Sequence, residues 1–114
     1  MQCPDGGRGQ VVELPLDQTR RTIADGMRAT RIGDITFAHI RAFADDMLTV
    51  TEGEIREATR KLILEARLVA EPSGAVALAA FLFHQQELPD ARCTVAVVSG
   101  GNIAPETLRD ILAD

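Results

Sequence analysis

Apolar residues recur at helical spacing over much of this 114-residue chain, most clearly between residues 52 and 69. One stripe of that segment is apolar and the charged residues lie largely off it, which is the pattern of a helix packed on one face. The segment opens with Thr51-Glu52-Gly53-Glu54, a Thr-x-x-Glu capping box that satisfies free amides at a helix start. We therefore predict an amphipathic helix with a well-marked beginning. Its apolar stripe consists of Ile55, Ala58, Leu62, Ile63, Ala66 and Val69.

Three further helices are predicted at 34–44, 72–83 and 105–113. The first is amphipathic, with Asp34 or Thr36 available to cap its first turn. The second starts at a proline, which suits the first helical position, and it is apolar on every side. A helix of that kind is expected to be buried over most of its circumference.

Two short apolar stretches without helical spacing predict strands. Residues 94–98 form a β-branched run of the kind found in strands covered on both faces, and residues 47–50 precede the capping box. Residues 10–14 are compatible with another short strand, and residues 17–26 with a loop. The order strand, helix, helix, strand, helix predicts an α/β fold, as part of a parallel-sheet, three-layer domain.

The length of the chain is about that of one small domain. Residues 1–10 are rich in glycine, have no period and are predicted to be a disordered or truncated lead-in. Residues 11–114 are predicted to be the folded portion.

Composition and charge narrow the classes of function. The net charge of −5 and the pI near 5.0 provide no basic field for a phosphate backbone, so nucleic acid is not an expected partner. The polar N-terminus lacks the apolar core of a signal peptide, and the apolar stretch at 70–83 is interrupted by Glu71 and too short to span a bilayer. Cys3 and Cys93 have neither zinc-site nor disulfide-framework spacing. We expect a protein without membrane segments in the reducing cytoplasm.

Three local features are candidates for chemistry. Ser99-Gly100-Gly101-Asn102 follows the buried strand predicted at 94–98, where α/β proteins bind ligands, although a simple strand-to-helix turn explains it equally well. Glu71 opens the apolar helix, where its charge would also be favoured by the helix dipole alone. Asp25 and Gly26 would suit an ordinary turn.

In combination, these segments resemble the C-terminal region of the fold-type-II pyridoxal-phosphate-dependent enzymes, the family of threonine ammonia-lyase (threonine and serine dehydratase) and serine racemase. The resemblance runs from about residue 11 to residue 102. No single motif is specific, but the combination is. Its motifs are Thr-Ile-Ala-Asp-Gly at 22–26, Thr-Phe-x-x-Ile-Arg at 36–41, Asp-Asp-Met-Leu-Thr-Val-Thr-Glu at 45–52, Glu-Pro-Ser-Gly-Ala at 71–75 and Ser-Gly-Gly-Asn at 99–102.

The resemblance implies a tryptophan-synthase-β-like architecture and pyridoxal 5'-phosphate as cofactor. It implies that Ser99 bonds the pyridine nitrogen of the cofactor and that Gly26, Glu71 and Asn102 line the same pocket. A neutral hydroxyl does not hold that nitrogen protonated as a carboxylate would, which suits elimination of water from serine or threonine.

The chain departs from the family pattern in lacking a Schiff-base lysine. Its one lysine, Lys61, is predicted mid-helix on the polar face, where it is a solvated charge. The family's lysine segment, phosphate-binding glycines and cation-associated acidic residues would belong upstream. We therefore expect no catalytic residue and no metal site within this chain, and no functional role for His39 or His84.

Three hypotheses remain open at this point. The first is the C-terminal segment of a dehydratase that converts L-threonine or L-serine to a 2-oxo acid and ammonia, inactive by itself and part of a homo-oligomer. The second is the same segment of a serine racemase. The third is a non-catalytic remnant or assembly module of the family.

Overall fold

The computed structural model of the chain describes residues 9–113, where the regular structure is helical. The five α-helices are α1 (Leu16–Thr19), α2 (Asp34–Phe43), α3 (Glu52–Leu64), α4 (Pro72–Phe83) and α5 (Pro105–Ala113). Two single 3-10 turns, Asp25–Met27 and Gln85–Glu87, lie between them. The predicted lead-in at 1–10 lies outside the described residues except for Gly9 and Gln10.

The capping box at the start of α3 is confirmed. The Thr51 hydroxyl accepts a hydrogen bond from the Glu54 amide at 3.3 Å, and the Glu54 carboxylate accepts one from the Thr51 amide at 2.7 Å. The amide of Thr51 is the main cause that lowers the pKa of Glu54 below its ordinary value. The sequence thus fixes where this helix begins, because two side chains supply the bonds that its first turn lacks.

The predicted end of this helix, at residue 69, is wrong. α3 ends at Leu64, and the chain reverses through Arg67, whose φ of 59° is left-handed. The Leu68 amide then donates to the carbonyl of Leu62 at 2.9 Å, which satisfies a free end of the helix. Left-handed helix endings usually occur at glycine, so an arginine there gave no sign of the turn.

The other helix limits are close to those predicted, but the cap of α2 is not. Gly33 is its N-cap, and neither Asp34 nor Thr36 caps it through a side chain. The Asp34 carboxylate instead accepts a bond from the Arg31 guanidinium at 2.6 Å. The predicted loop at 17–26 contains most of the short helix α1 and the start of a 3-10 turn.

Helices α3 and α4 pack against each other and form the core. The buried residues of this core are mostly alanine: Ala24, Val50, Ile55, Ala58, Leu62, Ala70, Ala75 and Ala79. α5 packs on α3, where it buries Ile111 completely and pairs Asp110 with the Arg56 guanidinium. Small side chains let the helix backbones approach closely but bury little apolar area each.

The predicted parallel sheet is not confirmed. Within residues 9–113 no segment pairs into a strand, including those predicted at 10–14, 47–50 and 94–98. Val95 and Val97 are 79% and 68% exposed, so this run is not covered on both faces as predicted.

α4 is covered over most of its circumference, as its apolar sequence predicts. Ala75 and Ala79 are buried in the core, and partly buried apolar residues of the same helix pack against that core: Val76, Leu78, Ala80 and Leu82. Within the helix only Ala77 and Phe83 are exposed.

His84, directly after α4, ties the end of that helix to the start of α3. Its Nδ1 lies 2.6 Å from Oε1 of Glu87, and its Nε2 lies 3.2 Å from the carboxylate of Glu54. The hydrogen bonds to Glu87 and then Glu54 raise the pKa of His84 above its ordinary value of 6.5. When it is protonated, the imidazole can donate a hydrogen bond to each of these two carboxylates.

We predict that His84→Gln removes part of the pH dependence of folding stability. Because the pKa of His84 is higher in the folded chain than in the unfolded chain, the protonated ring contributes stability that is fully present below pH 6.5 and is lost as the pH rises through the folded pKa. Urea unfolding between about pH 6 and about pH 8 is expected to show the native chain losing stability relative to the variant. Parallel stability curves for the two proteins would contradict this role.

Candidate functional site

The start of α4 is hydrogen-bonded to the Ser-Gly-Gly-Asn turn at residues 99–102. The backbone amide of Glu71 donates to the carbonyl of Gly100 at 3.3 Å, and Oε2 of Glu71 accepts a bond from the Asn102 amide at 3.1 Å. Glu71 is the N-cap residue of α4 but makes no side-chain cap within its own helix. Its carboxylate instead binds the Ser-Gly-Gly-Asn turn, so the interpretation of Glu71 as a simple helix-capping charge is incomplete.

Glycines make this close packing possible. A Cβ atom on Gly74 would lie 2.2 Å from the carbonyl oxygen of Ser99, a distance that no real contact allows. Gly100 has a φ of +90°, and a Cβ there would lie 2.7 Å from Oε1 of Glu71. Gly74 therefore excludes a larger residue because two backbones approach closely there. Gly100 excludes one mainly because of its left-handed conformation.

The Ala-Asp-Gly segment at 24–26 reaches the same place from the other side. A Cβ on Gly26 would lie 3.9 Å from Oε1 of Glu71, so that carboxylate lies between Gly26 and Gly100. The Gly26 amide is within 2.9 Å of the carboxylate of Asp25, which thus helps to close the turn. The structure brings together all three segments that the sequence singled out.

A cavity of about 880 Å³ opens beside these segments. Gly26, Glu71 and Ser99 line it, whereas Asn102 reaches the site through its backbone bond to Glu71. The volume lies within the range of about 300–1,000 Å³ that is usual for small-molecule sites. α4 supplies one apolar wall, through Val76, Ala77 and Ala80.

The charge of this cavity is acidic. Its lining includes the carboxylates of Asp45, Asp46, Glu71 and Glu87, and among the described lining residues there is no lysine, arginine or histidine. The lining itself thus supplies no cationic side chain for an anion, although His84, outside the lining, pairs with Glu87.

Sequence reasoning did not select Ser73, Asp45, Asp46 or Glu87 as site residues, although the structure places all four at the cavity. Ser73 had the strongest signal, since it lies inside the Glu-Pro-Ser-Gly motif. Asp45 and Asp46 belong to a motif of the resemblance. Glu87 follows α4 in a segment without a motif, so only the folded chain shows its position.

Lys61 lies away from the cavity, as predicted. Its ammonium group is 3.1 Å from Glu65 and 3.6 Å from Glu57, and the hydrogen bond to Glu65 is the main cause that raises its pKa. A lysine that attacks a carbonyl must be deprotonated, so this environment opposes that role. Over residues 9–113 no cluster of three metal-ligating side chains occurs, and no helix in that range has the length and hydropathy to cross a membrane.

Comparison with known proteins identifies the family. A family model described as "Pyridoxal-phosphate dependent enzyme" matches residues 3–100. The chain belongs to this pyridoxal-phosphate-dependent family. Its recognition from the five motifs is thereby confirmed, as is the cofactor that the family uses.

Relatives within the family differ in activity. The chain is 38% identical over 92 residues to the catabolic L-threonine dehydratase of Escherichia coli, covering 80% of this chain and 28% of that protein. It is 34% identical over 104 residues to an L-threo-3-hydroxyaspartate ammonia-lyase of a Pseudomonas species, covering 91% and 31%. The solved structure of maize serine racemase matches with a TM-score of 0.75 and 32% identity, over 96% of this chain and 34% of that chain. The chain therefore spans about a third of the length of these relatives.

The residues present fit one part of pyridoxal phosphate. Ser99 lines the cavity and carries a neutral hydroxyl, a group able to bond a ring nitrogen. The described lining has no cationic side chain for the phosphate. The described residues therefore suit the ring side of the cofactor, and its phosphate requires cations or amides from elsewhere.

We predict that Gly74→Ala destabilises the chain by about 1–3 kcal/mol, because the added methyl group overlaps the carbonyl of Ser99. Gly53→Ala is a matched control, since Gly53 also lies in the first turn of a helix and a Cβ there meets nothing within 4 Å. That control is expected to be neutral or to stabilise by up to about 1 kcal/mol. Urea unfolding of both variants measures the difference, and equal stabilities would refute the close approach.

Proposed function

We propose that this chain forms the C-terminal wall of the cofactor pocket in a pyridoxal-phosphate-dependent dehydratase. The reaction eliminates water from L-threonine or L-serine and yields a 2-oxo acid and ammonia. The observation that carries the proposal is the position of Ser99 at a cavity it shares with Gly26 and Glu71. The identity with the Escherichia coli threonine dehydratase supports the same activity.

In this proposal Ser99 bonds the ring nitrogen of the cofactor through its hydroxyl. Bound pyridoxal phosphate supplies an electron sink for the cleavage of bonds in an amino acid. A neutral hydroxyl can either donate to the nitrogen or accept from it, so it leaves that nitrogen without the full positive charge that a carboxylate would stabilise. Ser99 thereby moderates the sink rather than strengthening it.

Glu71, Gly26 and Asn102 complete the same pocket. Glu71 acts on the cofactor side of the pocket through the turn that it holds, because its Oε2 already accepts the Asn102 amide. Asn102 contributes its backbone amide to that bond and fixes the direction in which the turn leaves the site. Gly26 lies opposite the Ser-Gly-Gly-Asn turn, and its lack of a side chain leaves room for the Ser73 hydroxyl.

A serine racemase is the second candidate, because the maize enzyme's structure matches nearly the whole chain. The described residues that line this cavity include carboxylates, but no lysine or histidine that could act as the base facing the substrate in either enzyme. A non-catalytic assembly module is the third candidate. The exposure of Val95 and Val97 is what either a self-associating module or a segment covered by the rest of a longer enzyme would show.

The decisive experiment assays the enzyme that contains this chain, purified with pyridoxal phosphate, on L-threonine and L-serine. Release of a 2-oxo acid is expected, and Ser99→Ala is expected to lower kcat/KM by about tenfold or more through loss of one hydrogen bond to the ring. Thr94→Ala is the matched control, because Thr94 is an exposed hydroxyl of the same segment that does not line the cavity. Formation of D-serine without a 2-oxo acid would identify the racemase instead.

The coding sequence gives a second test of the dehydratase proposal. We expect a lysine-bearing segment in frame upstream of Met1. If the reading frame contains none, the dehydratase proposal fails and the assembly module becomes the better account.

The 114-residue chain by itself is expected to give no stoichiometric cofactor adduct at Lys61. Its ammonium group is paired with Glu57 and Glu65, which keeps it protonated. Incubation with pyridoxal phosphate, borohydride reduction and peptide mass spectrometry measure the occupancy of Lys61. A fully labelled Lys61 would overturn the view that it is only a solvated charge.

A further inference from the structure

Ser73, in the first turn of α4, connects the helix to the Ala-Asp-Gly segment at 24–26. Its Oγ accepts a hydrogen bond from the Gly26 amide at 2.9 Å. The same hydroxyl lies 3.4 Å from Oδ1 of Asp25 and can donate its proton there. One side chain therefore uses both its donor and an acceptor on two consecutive residues of the segment, 47 and 48 positions earlier in the chain.

A second side chain binds Ile23, the residue directly before the Ala-Asp-Gly segment. Oε2 of Glu52, in the first turn of α3, accepts a hydrogen bond from the Ile23 amide at 2.7 Å. The segment is thus tied at Ile23 to α3 and at Gly26 to α4. Because α3 and α4 pack as the core, these two ties fix the segment relative to the rigid part of the molecule.

Ser73 and Gly26 are also closely packed against each other. A Cβ on Gly26 would lie 3.0 Å from Oγ and 3.3 Å from Cβ of Ser73, closer than ordinary contacts. The glycine and the serine are therefore matched in size, and the hydroxyl sets how near the segment comes to Glu71.

We infer that Ser73 is a positioning residue that sets the place of Gly26 at the cavity wall, opposite the turn that carries Ser99. Its significance for catalysis rests on the proposed function, whereas the tie itself does not. Ser73 touches neither reacting atoms nor cofactor in this role and acts through the backbone of Gly26.

The first test measures amide hydrogen exchange by NMR in the 114-residue chain. Ser73→Ala removes the acceptor of the Gly26 amide, so exchange at Gly26 is expected to become about threefold to tenfold faster, with Asp25 remaining as a second acceptor. The Ile23 amide, held by Glu52, is the control within the same spectrum and is expected to keep its rate. Ser73→Thr retains the hydroxyl and is expected to restore slow exchange at Gly26. Equal acceleration at Gly26 and Ile23 would mean general loosening and would overturn the inference.

A double-mutant cycle gives an independent readout of the same contact. Gly26→Ala is expected to destabilise the native chain more than it destabilises the Ser73→Ala background, where the crowding atom is absent. Strictly additive changes in the free energy of unfolding would show that the two residues do not touch.

The last measurement separates this inference from the proposed function. In the enzyme that contains this chain, Ser73→Ala is expected to lower kcat/KM for L-threonine by about tenfold, with recovery in Ser73→Thr and with Thr107→Ala, in α5, as the unaffected control. If the native enzyme releases no 2-oxo acid, the proposed function fails. Hydrogen exchange at Gly26 and the double-mutant cycle still test whether Ser73 binds Gly26. If the enzyme is active and Ser73→Ala matches the native kcat/KM, the positioning role fails.

Discussion

The close approach of two backbones at Gly74 and Ser99 is the constraint on which the site depends. With the Ser99 carbonyl where a Cβ of residue 74 would lie, the Ser-Gly-Gly-Asn turn can reach the first turn of α4 and bond with Glu71. A methyl group at that point would push the turn outward and separate Ser99 from Glu71. The site is therefore built by the absence of side chains as much as by the groups that line it.

The first turn of α4 also organises the opposite side of the cavity. Pro72 starts the helix, Glu71 bonds to one turn and Ser73 bonds to the Ala-Asp-Gly segment, so the two residues that flank Pro72 connect pieces of chain distant in sequence. Such an arrangement gives each backbone segment a defined place without requiring any large buried side chain.

The acidic charge of the cavity and the small side chains of the core both limit what the described residues can do by themselves. The cavity lining is acidic and contains no cationic side chain for the phosphate of the family's cofactor. The core is built largely from alanine, while larger apolar residues such as Val95 and Val97 remain exposed. A chain that spans about a third of its relatives' length thus contains a coherent wall of the site, and its apolar surface is larger than its own helices cover.

The sequence by itself determined the starts of α2 to α5, the family and three of the residues that meet at the site. Capping boxes, prolines and helical spacing act within a few residues, so the start of α3 and the limits of α4 followed from local chemistry. The motifs identified Gly26, Glu71 and Ser99, which the tertiary structure brings to one cavity. Tertiary structure alone decided the end of α3 at a left-handed arginine, the lack of strand pairing at 94–98 and the tie from Ser73 to Gly26. Each of these depends on a partner far along the chain or on a conformation that residue type does not encode, and local pattern carries no information about either.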